Sequence, residues 1–333
     1  MNQSFPFAGK SLFLVWGPPS HGPRSRVFAR KLGIKDLHFI FGTRRRGALA
    51  APYKYSYQAV QTLRLLFRER PEIVFVQSPP SFAVLFVYLY CLFSGGRYVV
   101  DAHSAAMLSP VWTRPRWLYR FLARRAVATI VTNEHFARQI EGWGARALVL
   151  RDIPTEFPDG GPYPGLNGGF NVVVVSTFAD DEPLEEVFEA AAGLPGAHFY
   201  VTGKKSQARA SLLAGAPQNV HFTDFLPDEA YYGLMRSGDA IMCLTTRDHT
   251  MQRGACEALS LGKPIITSDW PLLRGYFNKG AVHVANDGDG IRAGVQTMRA
   301  NYPEYQSGID DLRAEQAQEW QRQSAELVRL LND

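Results

Sequence analysis

The stretch RGACEALSLGKPIITSDWP, Arg253–Pro271, places one carboxylate, Glu257, inside the apolar run Ala255, Cys256, Ala258 and Leu259. A helix starting near Thr250 lines up Thr250, Arg253, Gly254 and Glu257, because residues three, four and seven apart share a face. The start of such a helix exposes unpaired N–H groups and the positive end of its dipole, which suits a phosphate. Arg253 adds positive charge, and Gly254 lets a ligand come close to the backbone. Glu257 follows roughly 10 Å along the helix axis. A carboxylate is acceptor-only, and the vicinal hydroxyls of a ribose offer it two donors. Taken without its surroundings, the plainer account of Glu257 is pairing with a buried arginine or capping of a loop. Gly262 is a natural helix stop, and Pro264 forbids continuation.

Other residues form a second candidate set. VVDAHSAAM ends a strand, and Asp101 and His103 share one side of an extended chain. Transfer to a hydroxyl with inversion needs a base, and either residue qualifies; otherwise Asp101 ties down the loop and His103 only binds ligand. WGPPSHGPRSR, residues 16–26, follows the first strand and leads into a helix. Its Gly17, His21, Gly22 and Arg24 are candidates for acceptor binding, while Arg24 and Arg26 also read as plain surface charges. It is no GxGxxG fingerprint, so a dinucleotide oxidoreductase is disfavoured. Gly203 and Lys204, with Lys205, follow another strand, where a cation would stabilise a leaving diphosphate. Arg247 competes for that role. Asp180–Asp181 and Asp287-x-Asp289 read as loop and helix-start acids, so metal-independent chemistry is expected.

These residues need elements to hold them. Apolar runs at 11–17, 36–41, 72–77, 97–102, 128–132 and 147–152 alternate with helical patterns. The alternation resumes at 170–176, 197–203, 219–224, 239–245, 263–269 and 281–285. Continuous apolar strands between helices mean parallel sheets covered on both faces. The fold class expected is α/β, with two Rossmann-like doubly wound domains and ligands at the carboxyl ends of the strands. Residues 1–152 form the first domain, the proline- and glycine-rich segment 153–169 a flexible linker, and 170–305 the second domain. Residues 306–333 form a helix that packs back.

Charge divides in the same way. Residues 1–150 carry 21 Lys and Arg against 6 Asp and Glu, whereas the remainder carries 15 against 25. A basic first half should meet an anionic surface, phospholipid or nucleic acid. The run FAVLFVYLYCLF, Phe82–Phe93, is 12 residues long, short of the ~20 that span a bilayer. It reads as a buried helix on the sheet, with a membrane-dipping helix as the rival. GTRRRG at 42–47 with YKYSY at 53–57 mixes charge and aromatics as a nucleic-acid surface would. An anionic membrane accounts for that mixture and the apolar helix together, so no nucleic-acid partner is expected. Cys91, Cys243 and Cys256 sit in separate apolar runs, with neither metal-ligand spacing nor a disulfide framework.

SGDAIMCLTTRDHTMQRGACEALSLGKPIITSDW resembles the donor-binding segment of GT-B glycosyltransferases, especially the large retaining group with two glutamates eight positions apart. By that resemblance Glu257 holds the ribose of a nucleotide sugar. The earlier glutamate, which contacts the sugar, is replaced here by His249, with Asp248 adjacent. Residues 74–104, 149–158 and 175–191 are similar to dolichyl-diphosphate chitobiose β-1,4-mannosyltransferases. Those enzymes use GDP-mannose, invert at the anomeric carbon and act on a lipid-diphosphate acceptor at the cytosolic membrane face. The resemblance implies a glycosyltransferase with a GDP-mannose-like donor and no cofactor. Its acceptor would be lipid-linked or a polysaccharide, and its place cytoplasmic, peripheral on the membrane. The alternatives are a nucleotide-sugar epimerase of the same fold, or a non-catalytic nucleotide-sugar-binding subunit.

Overall fold

A computed structural model describes residues 9–19, 23–42, 50–109, 111, 115–151, 155, 157–158 and 160–332. The chain divides into two compact units, residues 1–152 with 320–333, and residues 153–319.

The first unit holds strands β1 (Ser11–Val15), β2 (Asp36–Phe39), β3 (Ile73–Ser78), β4 (Arg97–Ala102), β5 (Thr129–Val131) and β6 (Ala147–Val149). They form one parallel sheet in the order β2-β1-β3-β4-β5-β6. The helices are α1 (Pro23–Lys31), α2 (Ala50–Glu69), α3 (Ser81–Ser94), α4 (Ser104–Leu108), α5 (Arg116–Arg125) and α6 (Glu134–Glu141). Every residue of β3 is buried, as a central parallel strand covered on both faces requires. α3 packs against α2 and α5 as well as β3 and β4. It is thus half-buried on the sheet, and its outer face carries exposed Phe82, Leu92 and Phe93.

The second unit repeats the plan with β7 (Phe170–Val174), β8 (Ala197–Thr202), β9 (Val220–Asp224), β10 (Ala240–Cys243), β11 (Ile265–Ser268) and β12 (Ala281–Val284). Their order is β12-β11-β10-β7-β8-β9, again all parallel. Its helices are α7 (Leu184–Ala192), α8 (Ala210–Ala214), α9 (Asp228–Ser237), α10 (Arg253–Leu261), α11 (Pro271–Tyr276), α12 (Gly288–Ala300) and α13 (Tyr302–Asn332). In each sheet the strand order reverses once, between β1 and β3 and between β7 and β10. Crevices at such reversals, outside the carboxyl ends of the strands, are where open α/β sheets bind ligands.

The segment expected as a flexible linker is held instead. Phe157 stacks on Tyr232 of α9 at 4.2 Å between ring centroids. Arg236 donates to the backbone oxygens of Phe157 and Pro158. Tyr163 and Leu166 pack on the apolar cluster of the second unit. The proline and glycine content therefore marks an irregular path over a domain surface rather than free chain.

α13 starts at Tyr302, four residues before the helix expected over 306–333. Within the first unit its last turns bury Trp320 edge-on to Phe28 at 5.0 Å, and Leu327 and Leu331 are fully buried. Truncating a buried aromatic to alanine costs about 3–5 kcal/mol, so Trp320→Ala should lower stability by that amount in urea denaturation of the intact chain.

Candidate functional site

At the reversal between β7 and β10, two loops are tied together. Glu182 receives the Ser176 and Thr177 hydroxyls at 2.6 and 2.9 Å and the backbone N–H groups of Thr177 and Ala179, which folds residues 176–182 into a tight turn after β7. Asp181 of that turn accepts from the Thr245 hydroxyl at 2.8 Å and pairs with Arg247 at 3.3 Å. Trp270 and Asn286 both donate to the Thr245 backbone oxygen, so the loop after β10 is braced from the ends of β11 and β12. Gly203, at φ +101°, closes β8 against the same turn; a Cβ there would lie 2.5 Å from the Ser176 oxygen. Lys204 follows, exposed, its ammonium 5.2 Å from the centre of the exposed Phe225 ring.

α10 leaves this place. It begins at Arg253 behind Gln252, with no side chain capping its first turn. Thr250 therefore lies in the loop before the helix, not on the face it was expected to share with Glu257. His249 adopts φ +55° and receives support from Asp248, which takes its backbone N–H at 2.6 Å and pairs with its ring at 3.3 Å. Gly254 is buried for packing. A Cβ would sit 2.7 Å from Val175 and 2.8 Å from the Cys243 sulfur, so the helix start rests directly on the sheet. This helix-on-strand contact fills the side of Gly254 where a Cβ would stand.

Glu257 is 7% exposed. Arg253, one turn earlier, and the Tyr232 hydroxyl donate to Oε1 at 2.8 and 3.5 Å, and the Tyr231 hydroxyl donates to Oε2 at 2.9 Å. Burial, and then the Glu257 charge, push the Tyr231 phenol well above its usual range, so it remains a donor. Each carboxylate oxygen has two lone-pair directions, so these three donors fill both on Oε1 and leave one on Oε2. Pairing with arginine, the plainer of the two accounts, is present in the structure. It leaves acceptor capacity on a carboxylate whose position is fixed from two helices.

In the first unit the reversal lies between β1 and β3. Asp101, at the end of β4, is 0% exposed. His103 Nε2 lies 3.1 Å from Oδ2, and Arg24 Nε lies 3.5 Å from Oδ1. Arg24 also donates to the Leu150 oxygen at 2.7 Å and stacks over Phe28 at 4.0 Å. Arg24 is thus an internal anchor, neither a plain surface charge nor an open acceptor contact. Burial opposes the Asp101 charge, but His103 and Arg24 more than offset this, and its carboxyl is held below the usual range. Such a carboxylate is a poor base and a good orienter. Because it only accepts, a neutral His103 carries its proton on Nε2, which leaves the lone pair on Nδ1. Ser25 of α1 bonds Gln77 of β3 at 2.8 Å across the reversal. Gly17 closes β1 through its N–H to the Ile40 oxygen. His21, Gly22 and residues 43–47 of the basic stretch lie outside the described residues.

The structure thus joins Arg24, Asp101 and His103 in one cluster and Arg253 with Glu257 in another. Gly203, Lys204, Arg247, His249 and Thr250 occupy loops at the same strand ends as the second cluster. Sequence reasoning missed Tyr231 and Glu182 and read Asp181 only as a loop acid. Both acids lie within residues 175–191, but nothing in that run signals their partners. Among the described residues, no group of three or more His, Cys, Asp or Glu could hold a metal ion.

Asp101 gives a pH-dependent test. A carboxyl depressed by folding contributes stability that is fully present above its unfolded pKa, about 3.9, and lost as pH falls through the lower folded value. Asp101→Asn should cost about 3 kcal/mol at neutral pH, since it breaks a buried pair. It should also flatten the acid limb of a stability-versus-pH curve measured by urea denaturation.

Two family models match the chain. A model described as Glycosyltransferase Family 4 matches residues 17–155, and one described as Glycosyl transferase-like matches residues 182–326. Comparison with curated protein sequences gives no match. Among solved structures, a glycosyltransferase from Rickettsia africae superposes with TM-score 0.73 at 12% identity, covering 98% of this chain and 100% of that one. The Anabaena protein HepE, in complex with UDP and glucose, gives 0.70 at 13% identity, with 97% and 99% covered. A putative UDP-N-acetylglucosamine 2-epimerase from Listeria monocytogenes gives 0.61 at 10% identity, with 91% of each chain covered. The fold is that of the GT-B glycosyltransferases.

Proposed function

We propose that this chain, a glycosyltransferase by the models matching both of its halves, moves a sugar from a nucleotide-sugar donor to a lipid-linked or polysaccharide acceptor at a membrane surface. A GDP-mannose-like donor is the version that the sequence resemblance favours. The competing donor is a UDP-sugar, because HepE is seen with UDP and glucose.

The observation that carries this reading is Glu257. It is a nearly buried carboxylate, fixed by Tyr231 and Arg253, four residues past an uncapped helix start at the strand reversal. Its remaining lone pair, on Oε2, accepts a ribose hydroxyl. The N–H groups at the start of α10 and the largely exposed Arg253 meet the diphosphate. Lys204 and Arg247 bear on the leaving phosphate as charge develops on it. Phe225 offers an aromatic face for the base. In this reading these groups, rather than a metal ion, offset the diphosphate charge.

At the acceptor, His103 Nδ1 takes the hydroxyl proton while the oxygen attacks the anomeric carbon. The bond from that carbon to the phosphate oxygen breaks, and the nucleoside diphosphate leaves. Direct displacement of this kind inverts the anomeric centre. It accords with His249 standing where the retaining group keeps a glutamate. Asp101 orients the imidazole and stabilises the imidazolium. Epimerisation retains only the shared fold in its favour, since both matching family models describe glycosyltransferases.

Nucleotides should raise the melting temperature, with GDP acting more strongly than UDP, ADP or dTDP. A UDP-only response would transfer the reading to a UDP-sugar, and no response to any nucleotide would remove it. Glu257→Ala should weaken nucleotide binding roughly 10–100-fold, the worth of a hydrogen bond to a charged group. His103→Ala should lower kcat by about 10²–10⁴ with donor binding unchanged, which single-turnover kinetics with labelled donor will test.

A further inference from the structure

A surface helix of a folded domain normally turns charged residues outward. α3, SFAVLFVYLYCLFS, contains no charged residue. Its inner face is buried through Ala83, Val84, Val87, Tyr90 and Cys91. Its outer positions are apolar too, and at the carboxyl end Leu92 is 61% exposed and Phe93 78%.

The two helices beside it continue this surface. On α2, exposed Tyr53, Tyr57, Val60 and Phe67 recur at intervals of four, three and seven, which places them on one stripe. On α5, Trp117 is 70% exposed, and Phe121 beside it contacts Tyr88 of α3 at 5.3 Å. Tyr55 of α2 meets Phe82 of α3 at 5.7 Å, so the three outer faces join. Nearly all the exposed large apolar side chains among the described residues lie in the first unit, Phe225 being the exception.

The charges interleaved with this surface have one sign. α2 contributes Lys54, Arg64 and Arg68, and α5 contributes Arg116, Arg120, Arg124 and Arg125. Their single acid, Glu69, is paired with Lys10 and Arg68. A second copy related by a two-fold axis would set these cations against themselves. An anionic bilayer complements them, and its interface accepts the Trp, Tyr and Phe side chains. No helix among the described residues is long and apolar enough to cross a membrane.

We infer that the α2–α3–α5 face is an interfacial docking surface for anionic phospholipid. Leu92, Phe93 and Trp117 enter the acyl boundary, and the arginines on either side hold lipid headgroups. This rests on the reading of the acceptor as membrane-borne and names the face that meets the membrane.

The test is flotation of the full chain with vesicles of phosphatidylcholine alone and of phosphatidylcholine with phosphatidylglycerol. Binding is expected only with the anionic lipid, and it should fall at high salt. Leu92→Glu with Phe93→Glu should weaken it at least about a hundredfold, from the apolar area withdrawn. Arg64→Gln with Arg116→Gln should weaken it about tenfold, the loss of two interfacial cations. Both pairs are exposed, and an unchanged nucleotide-induced melting shift will show that the variants are folded. Vesicle binding that survives the Leu92/Phe93 change overturns the assignment. So does an absence of vesicle binding beside a concentration-dependent dimer, which would make the face a self-association surface. Failure to bind vesicles with an intact nucleotide response counts against the docking surface alone. Vesicle binding without any nucleotide response supports docking and counts against the donor site instead.

Discussion

Each unit buries an ionised carboxylate beside the place where its strand order reverses, and that burial governs the local structure. An unpaired charge inside a protein costs several kcal/mol, so the fold must bring each acid an ionic partner and further donors. Asp101 has Arg24 on one oxygen and His103 on the other. Glu257 has Arg253 on one and Tyr231 on the other. Both arginines come from helices that begin at the reversal, so pairing the acid also fixes where the helix starts. The chemistry assigned to each unit then uses what the pairing leaves over. In one unit that is the Nδ1 of an oriented imidazole; in the other it is the one spare lone pair of a fixed carboxylate.

The twelve strands were legible because a parallel strand covered on both faces is a continuous apolar run, and such runs stand out between helical patterns. Glu257 was legible for the opposite reason, as a charge that broke one of those runs. Its partners were not. Tyr231 lies 26 residues away in sequence and reaches the carboxylate only because α9 and α10 pack together. The helix start was misplaced because the three, four and seven spacing extends back to Thr250, whereas α10 begins at Arg253 with no side-chain cap to mark it. Gly254 shows a further limit of sequence. A glycine demanded by a ligand and a glycine demanded by a neighbouring strand look alike until Val175 and Cys243 are seen in the space. The proline-rich segment misled in a related way, since composition reports irregular backbone but not whether a partner such as Arg236 holds it.

His103 and Asp101 illustrate how structure separates residues that sequence leaves interchangeable. Two positions apart on an extended end, both were candidates for the base. Burial decides between them. Asp101 is fully enclosed, and its charge is stabilised by the Arg24 guanidinium and by a hydrogen bond with His103, so protonating it would leave Arg24 facing a neutral group in a closed site. His103 is partly open, and its ring lies 3.1 Å from that carboxylate, so in the proposed reaction it is the group left to take the proton.

The same reasoning separates the apolar surface of the first unit from an ordinary packing surplus. Stability requires α3 to bury only one face, and Val84, Val87 and Tyr90 provide that contact. Lysine or glutamate at positions 92 and 93 would serve the fold equally well and keep the unfolded chain more soluble. The chain instead exposes Leu92 and Phe93 and surrounds them with arginines on the adjoining helices. Exposed apolar area inside a field of one sign is costly in water and favourable at an anionic interface. The arrangement is therefore explained by a constraint outside the domain core, in the way that the two buried carboxylates are explained by constraints inside it.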